Sequence, residues 1–339
     1  MKRRLLLLAL ALLLAALPAL ARRRAVLAGA PGHCVTGILD DGVAAVMLGS
    51  DATHIYWLDE NEGALRRVPK NGGPSQRVAF VTNWIPLSMA VGDTHVYIGA
   101  LPPAALFSPT PGAILAVPKG GGTLAALISG VLSPFDVETD ATHVYWAATG
   151  TLDFERETIA PDGKIERALK NGESRQTLAE NLSAPLDLAL EDDAVWFGET
   201  GLANGDDTVG LYLVQKSGGA VTAIDTQTAV AHIAPSGAAL VVWGGDARVQ
   251  NALFVIRIDR GGVRLLVDDE LLASGARVAD GTAYYLSEGE EAYRLFSVPV
   301  AGGTPTLLRD DVYVTDDFEV DACAITFPTI DEELERMKR

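Results

Sequence analysis

The chain has 339 residues, a formal net charge of −17, 48% hydrophobic residues and 21% charged residues. This composition excludes an intrinsically disordered chain, and the excess of negative charge argues against nucleic acid and anionic membrane surfaces as partners. The length suits one repeat domain with a continuous core.

Residues 1–21 have the three parts of a secretory leader. A basic start at residues 2–4 precedes an almost pure Leu and Ala run at residues 5–20, and Ala19-Leu20-Ala21 has the small-x-small form of a cleavage site. We predict a cleaved signal peptide over residues 1–21, a flexible segment over 22–33, and a secreted or periplasmic protein. The alternative is an uncleaved N-terminal membrane anchor, because residues 22–24 are all arginine. The apolar run is short for a hydrocarbon core of about 30 Å, so we expect no stable membrane insertion.

A string of seven residues recurs in the first half of the chain. Asp-Ala-Thr-His-Ile-Tyr-Trp at residues 51–57 returns in closely similar form at residues 93–98 and 140–146. Each copy is followed by a second recurring string that ends in glycine, at residues 67–73, 116–122 and 168–172. Self-similarity at a period in the forties is typical of an array of supersecondary units.

Alignment on this string gives seven units, each with four short strands that we name A to D. Strand A is predicted at residues 43–51, 87–93, 135–140, 186–191, 233–237, 277–280 and 318–321. Asn-Gly, Ser-Gly and Gly-Gly pairs between C and D suit tight hairpin turns, and B and C are rich in β-branched and aromatic residues. The pattern predicts an all-β fold: a single β-propeller over residues 34–339 with seven four-stranded blades.

The two ends of the chain are predicted to complete one blade. Residues 334–339 match a C strand, and residues 35–39 occupy the place of the D strand that the last blade lacks. Closure in this way would hide the edges of an open array. The two cysteines, Cys34 and Cys323, fall at the same end of this blade, so an exported chain could join them in a disulfide.

The repeat resembles a known family. The strings at residues 142–146, 163–172, 175–179 and 184–190 are similar to YWTD-type repeats, and more closely to bacterial exported proteins with Val-Tyr-Trp and Val-Pro-Lys-x-Gly-Gly strings. The resemblance implies a propeller that tends to bind proteins, and it carries over no catalytic residue. Because YWTD propellers have six blades, six remains the alternative to seven.

Carboxylates on strand A are the sharpest candidates for a site in the axial channel. Counting back four from each strand end gives Met47, Met89, Asp136, Asp187, Ile233, Ala276 and Asp317, and two positions later Glu138 and Glu319 join them. Such a ring could hold a divalent cation. The alternative is a water-filled channel whose carboxylates bond blade-edge amides. We assign no other cofactor.

The histidines at residues 54, 95 and 143 look at first like a ligand set. Each occupies the same register on a different blade, however, and one metal requires ligands within about 2.1 Å. We therefore expect a structural role for them in the turns. His33 and His232 have no evident partner in the sequence.

The B–C and D–A loops should share one face, and the B–C loops are rich in Asp and Glu. Candidate binding residues on this face are Trp84, Phe107, Phe154, Glu288, Glu290 and Glu291. Loops on a rigid scaffold commonly carry recognition, although a merely solvated acidic surface would look the same.

Three functions follow from these patterns. The first is a monomeric, non-enzymatic scaffold that binds an unknown, basic protein or peptide through the acidic face. The alternative is a metal-assisted hydrolase or lactonase that uses the channel carboxylates, and the third is a purely structural envelope component. The first is favoured because no His joins the predicted ring and no nucleophile–base pair is visible.

Overall fold

The architecture is that of a β-propeller. The computed structural model describes residues 35–249, 251–257, 262–269, 271–273, 275–313 and 317–339. These residues form seven four-stranded antiparallel sheets, or blades, and one two-stranded hairpin, with no α-helix among them. The prediction of seven blades is confirmed. Strand β1 (Gly37–Asp41) precedes blade one.

Blades one to four take strands A to D in chain order. Blade one has β2 (Ala45–Ser50), β3 (His54–Asp59), β4 (Ala64–Pro69) and β5 (Gln76–Phe80). Blade two has β6 (Ile85–Val91), β7 (His95–Leu101), β8 (Gly112–Pro118) and β9 (Ala125–Val131), with the 3₁₀ turn η1 (Pro103–Leu106) in its B–C loop. Blade three has β10 (Pro134–Thr139), β11 (His143–Ala148), β14 (Gly163–Leu169) and β15 (Gln176–Leu182), with the hairpin β12 (Leu152–Asp153) and β13 (Thr158–Ile159) between B and C. Blade four has β16 (Leu188–Glu191), β17 (Ala194–Thr200), β18 (Val209–Gln215) and β19 (Thr222–Asp225).

Blades five to seven follow the same plan. Blade five has β20 (Ala229–Ser236), β21 (Ala239–Gly245), β22 (Ala252–Arg257) and β23 (Val263–Asp268). Blade six has β24 (Arg277–Ala279), β25 (Thr282–Glu288), β26 (Tyr293–Pro299) and β27 (Thr306–Val312). Blade seven has β28 (Glu319–Val320), β29 (Ala324–Pro328) and β30 (Glu333–Lys338), and its D strand is β1.

Strand β1 closes the ring, as the sequence predicts. It pairs antiparallel with β30, from Gly37 opposite Arg336 to Asp41 opposite Glu333. The A strands contact one another in order around the axis, and β28 returns to contact β2. We call the space inside the A strands the channel, the end with the B–C and D–A loops the loop face, and the end with the A–B and C–D turns the turn face.

The core lies between neighbouring blades, not inside any one of them. Tyr145 of blade three, for example, packs in one buried cluster with Val195 and Phe197 of blade four. Each B strand is covered on both faces, so its residues read as a continuous apolar run and not as an alternation. Trp57 and Trp146 are therefore fully buried on their B strands.

The recurring Asp-x-Thr-His string forms the A–B turns. In blade three, Asp140 Oδ1 accepts the backbone N–H groups of Thr142 and His143, and Oδ2 accepts the hydroxyl of Tyr145. The imidazole Nδ1 of each repeated histidine lies 2.7–2.9 Å from the hydroxyl of the preceding threonine, at His54, His95 and His143. The structural role expected for these histidines is confirmed.

The same aspartates join adjacent blades on the turn face. A lysine in the C–D turn of one blade reaches an aspartate in the A–B turn of the preceding blade. The pairs are Lys70–Asp321 at 2.8 Å, Lys119–Asp51 at 2.6 Å, Lys170–Asp93 at 3.5 Å and Lys216–Asp140 at 3.5 Å. Arg339 pairs with Asp280 in the same way. In the pairs Lys70–Asp321, Lys119–Asp51 and Lys216–Asp140 both side chains are at most 26% exposed, so these three pairs are less screened than ordinary surface pairs.

The predicted disulfide has one partner in the described chain. Cys323 lies in the A–B turn of blade seven, where its backbone N–H donates to Asp321. Cys34 lies outside the described residues, as do residues 1–33, which hold the predicted leader and flexible segment. The Cys34–Cys323 pairing therefore stays a prediction. Among the described residues, no helix has the length and hydropathy to cross a bilayer.

Candidate functional site

Strand pairing defines which side chains share a level in the channel. Asp136 pairs with Ala147, and Ser88 and His232 pair with the equivalent residues of their B strands. Extending the register of blades four, six and seven adds Asp187, Gly275 and Asp317 to this level. Met47 joins them because the next residue, Leu48, donates its N–H to Asp317 as Leu188 does to Asp136. The placement of Met89, Ile233 and Ala276 at this level was wrong by one residue. In those blades the residue taken as the strand end, such as Asp93, lies one position later, inside the turn, as the bond from Gly92 N to His95 O shows.

Most side chains at this level form a hydrogen bond with the backbone of the next blade. Asp136 Oδ2 accepts the N–H of Leu188 at 2.9 Å, and Asp187 Oδ2 accepts the N–H of Ile233 at 2.6 Å. Asp317 accepts the N–H of Leu48 in the same relation. Ser88 donates its hydroxyl to the carbonyl of Pro134 at 3.0 Å. The carboxylates thus bond the amides of neighbouring A strands, which is the alternative that the sequence left open.

His232 joins this level, although the sequence suggested no partner for it. Its Nδ1 lies 3.2 Å from Asp187 Oδ2, and its Nε2 lies 3.0 Å from the carbonyl oxygen of Ala276. The expectation that no histidine joins the ring was wrong. A side chain at Gly275 would overlap the imidazole, so glycine there makes room for it.

Arg277 is the second residue that sequence reasoning missed. Its Nη1 lies 3.2 Å from His232 Nε2, and its Nη2 donates to Asp317 Oδ1 at 2.7 Å. A series of polar contacts therefore runs from Asp187 through His232 and Arg277 to Asp317, across blades four to seven. Arg277 shares its register with Glu138 and Glu319, because their partners on the B strands are equivalent. With the correct register, the sequence alone would have placed Arg277 at one level of the channel with Glu138 and Glu319, and a single arginine among glutamates predicts an ion pair.

The channel holds more acid than base. Burial, and then the charges of Asp187 and Glu138, raise the pKa of Asp136 well above its usual value. Burial, with the charge of Asp187, raises the pKa of Glu138 to about 7. Burial also raises the pKa of Asp317 and Glu319, although Arg277 opposes this at both. The charge of Arg277 also lowers the pKa of Glu138 in part, whereas no effect of Arg277 on Asp136 is resolved.

The predicted cation ring is not assembled as one ligand group. Among the described residues, no three His, Cys, Asp or Glu side chains converge in an arrangement that could hold a metal ion. The charge of Asp187 acts on Asp136, whereas Asp317 accepts a hydrogen bond from Arg277. A divalent cation in the channel stays a prediction.

We expect Glu138→Gln to stabilise the protein at alkaline pH. A carboxyl whose folded pKa is about 7 and whose unfolded value is 4.5 costs stability when it ionises, and the cost is complete only above pH 7. The gain should be about 1–3 kcal/mol at pH 8 and near zero at pH 4. Urea denaturation at both pH values measures it. Glu180→Gln on the exposed side of β15 is the control, and an equal gain at the two pH values would contradict the assignment.

The predicted binding residues all lie in loops of the loop face or at their edges. Phe107 follows η1 in the B–C loop of blade two and is 81% exposed. Trp84 is half-buried against the cluster between blades one and two, and Phe154 packs on a small cluster of loop residues. Both therefore also support the fold, while Phe107 is free to contact a partner.

The acidic part of the face is solvent-exposed. Glu290 and Glu291 are exposed in the turn between β25 and β26, and Glu288 at the end of β25 is half-buried. In the described B–C and D–A loops the basic residues are Arg156 and Arg248, and each pairs with an aspartate of its own loop, Asp153 and Asp246. The loop face is therefore strongly negative, whereas the turn face alternates lysine with aspartate.

Comparisons with known proteins support the fold. The sequence matches no protein-family profile and no curated protein. The chain is similar to a structure of a nidogen/laminin complex, with TM-score 0.53, 14% identity, and coverage of 74% of this chain and 90% of that one. It is similar to the β-propeller domain of the Trilobed protease from Pyrococcus furiosus, with TM-score 0.57, 10% identity, and coverage of 87% and 93%. For TolB from Acinetobacter baumannii the TM-score is 0.50 and the identity 12%, with coverage of 80% of this chain and 63% of that one. Identities this low show the fold alone.

Proposed function

We propose that this chain is an exported, non-enzymatic β-propeller, acting as a monomer, that binds a basic protein or peptide through its loop face. The observation that carries the proposal is the segregation of charge between the two faces. On the turn face, lysines neutralise the repeated aspartates across the blades. On the loop face, Glu290 and Glu291 are exposed and form no ion pair within the described part of the chain, and Arg294 donates to the backbone carbonyl of Glu288 in the same loop.

The geometry of the loop face suits recognition. The loops project from a ring that is closed by β1, so their bases are fixed and little ordering is needed on binding. Phe107 offers an exposed aromatic side chain on the same face as the acidic loops, and aromatic residues are enriched at the centres of interfaces. The negative charge of the loop face would steer a basic partner toward it, and the Phe107 side chain would anchor the bound partner.

The family and the location belong to the same proposal. The Val-Tyr-Trp string at residues 144–146 with its near copies at 55–57 and 96–98, and the two Val-Pro-Lys-x-Gly-Gly strings, support membership of the YWTD-like exported repeat propellers. A nidogen/laminin complex is among the similar structures. The leader-like residues 1–21 support export, and a TolB propeller is also similar in fold.

A charge-neutralising variant tests the binding face. We expect Glu288→Gln, Glu290→Gln and Glu291→Gln together to weaken binding of a short fluorescent Arg/Ala peptide about tenfold at low salt, measured by anisotropy. The matched control removes three exposed carboxylates from the turn face: Glu173→Gln, Asp192→Asn and Asp193→Asn.

The two variants separate a binding face from general electrostatics. The turn-face control should bind the peptide as the unchanged protein does, because its substitutions lie at the other end of the ring. Equal weakening in both variants would show attraction to net charge alone. No binding to the unchanged protein would favour the purely structural role.

The second candidate is a hydrolase or lactonase, because His232 lies beside Asp187 in the channel. Two measurements test it: elemental analysis of the purified protein for divalent metals, and an assay of lactone hydrolysis. Absence of a metal and of turnover would exclude this candidate. If Asp187→Asn abolishes turnover while peptide binding persists, this second candidate stands.

A further inference from the structure

The strongest unassigned feature lies at the seam where β1 meets blade one. Three buried polar atoms there have no hydrogen-bond partner among the described residues: Asp40 Oδ2 on β1, Trp57 Nε1 on β3 and Arg66 Nε on β4. Buried polar atoms are paired in the great majority of cases, with protein or with ordered water. Two of these atoms are donors and one is an acceptor.

Blade three shows how the same position is satisfied elsewhere. Trp146 pairs with Glu166 in the register in which Trp57 pairs with Arg66. Trp146 Nε1 donates to Glu166 Oε2 at 3.1 Å, and Arg175 pairs with that carboxylate at 2.7 Å. In blade one the carboxylate is replaced by Arg66, which is a donor. The cross-strand partner of Trp57 therefore offers its indole no acceptor.

Three carboxylates lie around the Arg66 guanidinium, but none of them accepts a hydrogen bond from its Nε. Arg66 Nη1 pairs with Glu62 at 2.8 Å, and Nη2 donates to the hydroxyl of Ser75 at 2.6 Å. Asp40 Oδ2 lies 3.8 Å from Nη2, and Asp59 Oδ2 lies 4.0 Å from Nε, both beyond hydrogen-bond distance. Neither pair is a direct hydrogen bond, and polar groups more than 3.5 Å apart can be joined through a water.

We propose that one buried water molecule accepts from Trp57 Nε1 and Arg66 Nε, donates to Asp40 Oδ2, and so ties the closing strand β1 to blade one. A water supplies both the acceptors and the donor that the three atoms require. A metal cation does not suit the site, because two of its three atoms are N–H donors. An anion does not suit it either, because Asp40 faces it.

The bridge gives β1 a second attachment. Its backbone pairs with β30 of blade seven, and Asp40 would hold it to the B and C strands of blade one. The strand would then be fixed on both sides of the closing seam. Opening of β1 should depend on the bridge, and amide hydrogen exchange reports such local opening.

A high-resolution crystal structure of the whole protein tests the site directly. We expect one water within hydrogen-bond distance of Asp40 Oδ2, Trp57 Nε1 and Arg66 Nε. A direct bond between Asp40 and Trp57, or a dry site, would overturn the proposal.

Hydrogen exchange tests the bridge in solution. We expect Asp40→Ala and Trp57→Phe each to raise the exchange of the β1 amides about tenfold. The double variant should exchange no faster than the faster single variant, because both remove the same bridge. Additive effects would contradict this. Trp146→Phe removes an equivalent indole N–H in blade three, and it should leave exchange of β1 unchanged; an increase there would show a general effect of losing an indole.

Discussion

Replacing Leu39 by alanine is expected to lower the free energy of unfolding by about 2–5 kcal/mol, the range for a buried leucine truncated in a core. Leu39 is the central residue of β1 and is fully buried. It packs in one cluster with Leu334 of blade seven and with Ile55 and Trp57 of blade one. The substitution therefore opens a cavity where the two ends of the ring meet. Urea denaturation measures the change.

The neighbouring residue provides the comparison. Ile38 lies on the same strand but is partly exposed, so Ile38→Ala should cost about 1 kcal/mol. Hydrogen exchange should rise in β1 and β30 before other blades in the Leu39→Ala protein. Equal losses in the two variants, or exchange that rises evenly around the ring, would mean that the closing strand contributes little to stability.

The fold could be predicted because its determinants are local and repeated. Gly-rich C–D turns and apolar B strands recur in most units, so a strand whose pattern is weak in one unit can be located from the same strand in the others. Even the closing strand followed from counting, because residues 334–339 left one blade a strand short. These features depend on backbone pairing, which a single sequence reports through its period.

The channel could not be predicted as well, because it depends on the register across blades. A shift of one residue moves a side chain to the other face of its strand. The acidic residue that marked the strand end lies inside the turn at Asp93 and Asp280, so the assigned level was off by one in blades two and six. Blade five has no acidic residue in that turn, and the same error hid His232.

Replacing Asp140 by alanine is expected to lower the free energy of unfolding by about 2–3 kcal/mol at pH 7. Although burial alone would raise its pKa, the N–H groups of Thr142 and His143, the hydroxyl of Tyr145 and the charge of Lys216 hold the pKa of Asp140 well below its usual value. A carboxyl with a lowered folded pKa stabilises the protein above its unfolded pKa, and that contribution is lost as the pH falls through the folded pKa. The difference between the two proteins should therefore shrink in acid. Urea denaturation across the pH range measures it.

Two further variants separate the turn from the ion pair. Asp140→Asn keeps an oxygen for the backbone N–H groups but loses the charge that faces Lys216, so its loss should be intermediate. Asp93→Ala removes a side chain that is 79% exposed and pairs with Lys170 at 3.5 Å, and it should cost under about 1 kcal/mol. If Asp93→Ala cost as much as Asp140→Ala, the ion pairs between blades would stabilise the ring more than the bonds within each turn. The expected order instead assigns most of the stabilisation to the hydrogen bonds within the turn. Asp140 accepts two backbone N–H groups and the Tyr145 hydroxyl at hydrogen-bond distance, whereas Lys216 lies 3.5 Å away.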